Sequence, residues 1–207
     1  MAYGLRPVSH GGYLYNTGGN EVFPVNSSTT AVIGHGDLVK LVAGGGVDLA
    51  TATPEYAELI EGDVTLPVQV LGVFVGCEYV STSGTPTWAQ HWPGSAAVDT
   101  GETMLAYVVT DPNAVFMVST GDSVAKKWED TYIGNTFDLF NLSSASTATG
   151  NSGITIQDLA TTAAPAAVRV IGVPKDGKNE TSSVTTPDVL VRWADSSVLT
   201  YGYGLGL

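Results

Sequence analysis

From Gly36 onward, apolar positions recur with a period near two, the spacing that sets alternate side chains on opposite faces of a strand. In Leu38-Val39-Lys40-Leu41-Val42, Val39 and Leu41 share one face and Lys40 takes the other. Gly44-Gly45-Gly46 then supplies a turn tolerant of positive φ, and Val47-Asp48-Leu49-Ala50-Thr51 alternates back, which predicts a hairpin. Thr53-Pro54-Glu55 predicts the start of a short helix, with Tyr56, Leu59 and Ile60 on its apolar side. The strongest strand signal spans 68–80, with Leu71, Val73, Val75, Cys77 and Tyr79 on one face and Val70, Gly72, Phe74 and Gly76 on the other. A strand apolar on both faces is central in its sheet, and its two glycines mark a bulge, a bend or a close backbone approach.

Further strands are expected over 104–110 and 114–118, separated by the turn Asp111-Pro112-Asn113, in which proline presets φ and its polar neighbours bond the nearby backbone. Others are expected at 136–140, 154–157, 168–173, 189–193 and 198–203, with loops at 141–153 and 174–187. Many short strands between Gly, Pro, Asn and Asp turns predict an all-β fold, a small β-barrel or β-sandwich with long loops. Residues 1–35 show no sustained periodicity, and we read them as an extended N-terminal arm on a β domain formed by 36–207, with room for a subdivision near 120–150. In such an arm Tyr3, Leu5, Arg6, Tyr13 and Tyr15 are the candidate partner contacts, because tyrosine offers a large apolar face with a polar tip at little entropic cost. A surface segment tucked onto the domain is the plainer alternative.

Composition narrows the function. The chain has 207 residues, a formal net charge of −12 and only eight basic residues, with no basic block among them. Such a chain is repelled by phosphate backbones and by anionic lipid, so neither nucleic acid nor membrane is an expected partner. The first seven residues lack the apolar core of a secretory signal, and the expectation is synthesis in a cytoplasm. Cys77 is the only cysteine and sits in an apolar run, which suits a small buried hydrophobe better than a reactive thiolate.

Catalytic patterns are thin. The three histidines, His10, His35 and His91, have no zinc-ligand spacing, so no metal or other cofactor is expected. Gly121-Asp122-Ser123 superficially resembles the nucleophile loop of β-barrel serine proteases, with His35 as a base, but Val124 and Ala125 stand where those enzymes place glycine. The expectation is a protein that is not an enzyme.

Six segments, taken in order, carry a family resemblance: Met1-Ala2-Tyr3-Gly4-Leu5-Arg6-Pro7, Gly36-Asp37-Leu38-Val39-Lys40-Leu41, 71–79, 88–93, 109–116 and 168–172. Together they are similar to the capsid decoration (cement, head-stabilising) proteins of tailed bacteriophages. The resemblance implies a β-barrel-like virion protein, made in the host cytoplasm. It would bind the outer face of the expanded head and reinforce the major capsid protein lattice, commonly as a homotrimer. It brings no catalytic residue and no cofactor. An acidic chain suits an outward position, away from packaged DNA. The alternative is a carbohydrate-binding or host-adhesion β module of a spike or fibre, in which exposed Trp88, Trp92 and Tyr79 would stack on sugar rings. Core filling is the expected role of those three aromatics.

Overall fold

The computed structural model of the chain describes residues 3–8, 20–43, 45–51, 70–121, 130–142, 145–156, 167–174 and 187–194. Thirteen strands follow in chain order: β1 Arg6–Pro7, β2 Asn20–Pro24, β3 Leu38–Leu41, β4 Val47–Leu49, β5 Gly72–Val80, β6 Pro86–Ala89, β7 Met104–Val109, β8 Phe116–Ser119, β9 Thr136–Phe137, β10 Leu139–Phe140, β11 Thr155–Ile156, β12 Val168–Gly172 and β13 Asp188–Trp193. Short 3-10 turns at Ser95–Ala97 and Asp130–Tyr132 are the helical elements among the described residues. The architecture is all-β and sandwich-like. One sheet runs β1-β8-β13-β12-β9, a second runs β2-β7-β5-β3-β4 with β6 also on β5, and β10 and β11 form a separate pair.

The five-stranded sheet follows its alternation closely. Val168 and Val170 of β12 and Val189, Val191 and Trp193 of β13 are buried, whereas Arg169 and Arg192 between them are exposed. One face meets the core and the other meets water. Phe116 of β8 packs edge-to-face on Trp193, with centroids 5.7 Å apart. Leu38, Val73 and Val109 of the second sheet, with Val70 just ahead of β5, complete this inter-sheet core.

The second sheet has a core on its other face as well. Val39, Val47, Leu49, Leu71, Phe74, Cys77, Ala106 and Val108 enclose it, and Ile33, Trp92 and Val98 from the connecting loops fill its open end. Among the described residues the two edges of this sheet meet at a single bridge, Val25 to Val47, so the sheet curls without closing into a barrel. Trp92 is fully buried, donates Nε1–H to the Thr29 carbonyl at 3.2 Å and meets Tyr79 edge-on at 5.8 Å.

β5 serves both cores, and its face assignment differs from the simple alternation. Its pairing with β7 shifts between Phe74 and Gly76, so Phe74 and Cys77, three residues apart, point into the same core while Val73 and Val75 face the other sheet. A bulge of this kind adds one residue to one strand and moves every later side chain to the opposite face. Gly72 is the close approach: a Cβ there would lie 2.2 Å from the Val109 carbonyl oxygen.

The hairpin of β3 and β4 pairs Val39 with Leu49 and Leu41 with Val47. Leu41 at its tip is 41% exposed, although the alternation placed it with buried Val39. The expected helix near 53–60 and the expected strand at 198–203 lie outside the described residues.

Two described parts of 1–35 join the sheets as strands. β1 pairs with β8, β2 pairs along β7, and Leu5 is 0% exposed within the inter-sheet core. Leu5 is therefore a core residue in place of the arm contact expected from the sequence. Its burial depends on a distant segment: Leu5 N–H donates to the Gly36 carbonyl at 3.1 Å, and Gly36 (φ 92°) lies so close that a Cβ there would meet Leu5 N at 2.8 Å.

Candidate functional site

Of the sequence-derived contacts, Tyr3 and Arg6 come together, Leu5 is buried in the inter-sheet core, and Tyr13 and Tyr15 lie outside the described residues. Arg6 is exposed and its guanidinium carbon sits 4.7 Å from the Tyr3 ring centroid, a cation–π pair that holds both against the domain. Arg6, Pro7, His35 and Gln90 line a shallow groove of about 270 Å³. The Gln90 side chain donates to Asn151 Oδ1 at 2.7 Å. Burial, then the positive charge of Arg6, lowers the His35 pKa, which favours the neutral imidazole.

Beneath this groove the segment Gly34-His35-Gly36-Asp37 is tied to 150–152. His35 N–H donates to the Gly150 carbonyl at 2.9 Å, and Ser152 N–H donates to the His35 carbonyl at 3.0 Å. Asp37 is fully buried and its Oδ2 accepts from Gly34 N–H at 2.7 Å, while Oδ1 has no partner. Burial raises its pKa, and the Ser152 hydroxyl and Gly34 amide partly counter that rise. The buried Ser152 hydroxyl oxygen accepts from Ile154 N–H at 3.0 Å, which marks it as a turn-holding group. Ser123 and His10, weighed in the sequence, lie outside the described residues. Cys77 is buried, with Sγ 3.2 Å from the His91 carbonyl, and burial pushes its thiol up to about 12. A thiol held protonated in this way is no nucleophile.

The most conspicuous surface lies elsewhere, on the face of β5 that is buried between the sheets at Val73 and emerges into water further along. In register, Glu78 of β5 lies between Trp88 of β6 and Leu105 of β7, and Tyr107 lies between Gly76 of β5 and Val22 of β2. Gly76 presents no side chain, and the Trp88 and Tyr107 rings stack with centroids 5.5 Å apart and planes 18° from parallel. Trp88 is nonetheless 69% exposed and Val22 is 52% exposed. Tyr107 Oη donates to Glu78 Oε2 at 3.3 Å, and desolvation together with the Glu78 carboxylate raises the phenol pKa. Stacked aromatics beside a carboxylate are binding chemistry: they give large contact area, a π face and a directed acceptor.

The three aromatics named from the sequence thus separate. Trp92 is core, Tyr79 is partly buried against it, and Trp88 stands out in solvent. Tyr107 escaped notice because its strand signal reports alternation without saying which face another sheet covers. No known protein family, characterised protein or solved structure matches this chain.

Proposed function

We propose that this chain is a non-enzymatic structural protein of a tailed-phage virion that binds the outer face of the head and stabilises the major capsid protein lattice. The observation that supports it best is the Trp88–Tyr107 surface, an aromatic face left in water on a rigid β scaffold. Tryptophan and tyrosine dominate the energetics of protein interfaces, and a sheet holds them without loss of order on binding. The net charge of −12 supports an outward position, and the order of the six family-like segments supports the partner. A protein that binds only the mature lattice stabilises it by mass action, with no chemistry required. Assembly as a homotrimer on the lattice is part of the proposal. The test is the copy number in purified particles relative to the major capsid protein. Near-stoichiometric amounts are expected, and a few copies per particle would move the chain to a tail or vertex.

Exposed Trp88 also supports the second function, a carbohydrate-binding or host-adhesion module, since one open indole face can stack on a pyranose ring. Only one of the three aromatics suggested for that role is open, which leaves a single stacking ring where the adhesion reading calls for three. A glycan array probed with the intact chain tests it; binding abolished by Trp88→Ala would favour adhesion.

A further inference from the structure

We infer that the Trp88–Tyr107–Glu78 face receives a basic side chain, arginine or lysine, presented by a protein partner, with the cation laid on the open face of Trp88 and bonded to the Glu78 carboxylate. Tyr107 covers one face of the indole and leaves the other to solvent. Glu78 is directly opposite Trp88 in register and half-buried, with Oε2 turned toward Tyr107 by the phenol hydrogen bond. A π face beside a carboxylate attracts a cation twice over, through the ring quadrupole and through charge.

Charge complementarity selects this occupant. Among the described residues no cation pairs with Glu78. Arg6 lies over Tyr3, Arg169 donates to the Gly134 carbonyl, Lys40 is opposite Asp48 on β3 and β4, and Arg192 is on the other sheet. The whole chain carries a net −12, so a basic partner surface is favoured and an acidic one is repelled. A second copy docking this face on itself around a two-fold axis would bring Glu78 against Glu78, which opposes that arrangement. The partner's identity rests on the lattice-binding function proposed above; the acceptance of a cation does not.

The experiment has two arms with the full-length chain. In the first, the tetrapeptide acetyl-Gly-Arg-Arg-Gly-amide, its citrulline counterpart and maltotriose are titrated at low salt. Trp88 fluorescence is isolated as the difference between wild type and Trp88→Ala. The arginine peptide is expected to shift the signal, Glu78→Gln to weaken it about tenfold, and added salt to weaken it further. Equal binding of the citrulline peptide, a response to maltotriose alone, or no response at all would each overturn the cation site. In the second arm, wild type, Trp88→Ala and Glu78→Lys are added to coat-protein shells lacking this chain, with thermal melts confirming that each variant is folded. Loss of shell binding in both variants supports the site. Wild-type binding unchanged in both variants overturns it and leaves the lattice function standing. A wild type that ignores the shells overturns the lattice function and leaves the first arm to decide the site.

Discussion

The two cores of this molecule are built differently. Between the sheets, strand residues make up most of the core, joined by Leu5, Ala114, Ile154 and Ala167 from adjoining segments, and the alternation of Val168-Arg169-Val170 and Val189-Leu190-Val191 translates directly into burial. Inside the curled sheet, loop residues Ile33, Trp92 and Val98 pack among the strand residues, and Trp92 is the largest side chain there. A core between two sheets is specified by local pattern, whereas a core plugged by loops is specified by long-range contacts such as the Trp92 indole on the Thr29 carbonyl. β3, β5 and β7 belong to both, through Leu38 and Val39, Val73 and Phe74, and Val109 and Val108.

The strongest break in this comparison is truncation of a fully buried aromatic in each core. Phe116→Ala and Trp92→Ala are each expected to cost about 3–5 kcal/mol in chemical denaturation. If the cores are independent, the double variant should lose the sum to within about 0.5 kcal/mol; a smaller loss would show coupling through the shared strands β3, β5 and β7. Next, Leu5→Ala should cost about 2–5 kcal/mol, the price of a cavity in the inter-sheet core. An arm contact at Leu5 would predict the reverse: unchanged stability and lost lattice binding. Gly72→Ala forces a Cβ onto the Val109 carbonyl where the two cores share a strand, and about 1–3 kcal/mol is expected.

The smallest effect concerns pH at the Gly34–Asp37 loop. Because burial raises the Asp37 pKa above 3.8, the folded chain keeps this proton to higher pH than the unfolded chain does. The Asp37 contribution is therefore most favourable below 3.8 and is lost as pH rises through the raised value. Comparing denaturation of Asp37→Asn with wild type across that window should show the difference moving in favour of asparagine as pH rises. A flat difference would mean that Asp37 titrates alike in both states.

Where the sequence was informative, a local cause can be named. The glycine turn made the β3–β4 hairpin legible, and the strands over 104–109, 168–172 and 188–193 fall where alternation predicts them. β5 was legible as a central strand, but its faces were not, because the bulge before Gly76 shifts the alternation by one residue. β1, β2 and β6 were missed. The first two lie in glycine- and asparagine-rich sequence, and β6 opens on Pro86, which suits an edge strand and mutes the signal. Leu5, a lone apolar residue between Gly4 and Arg6, carries no periodicity; its burial is decided thirty residues away at Gly36. The candidate site was half legible. Trp88 stood out by residue type, while Tyr107 and Glu78 joined it only through strand register.

The buried thiol of Cys77 makes the molecule its own reporter. It is the only cysteine, and its sulfur lies under the Ala89 and His91 carbonyls, at the end of the strand that carries Trp88. Lifting β6 from β5 would remove the Ala89 carbonyl from the sulfur and open a path for an alkylating reagent. The labelling rate therefore times that opening, and an occupant that clamps Trp88 against the sheet should slow the clock.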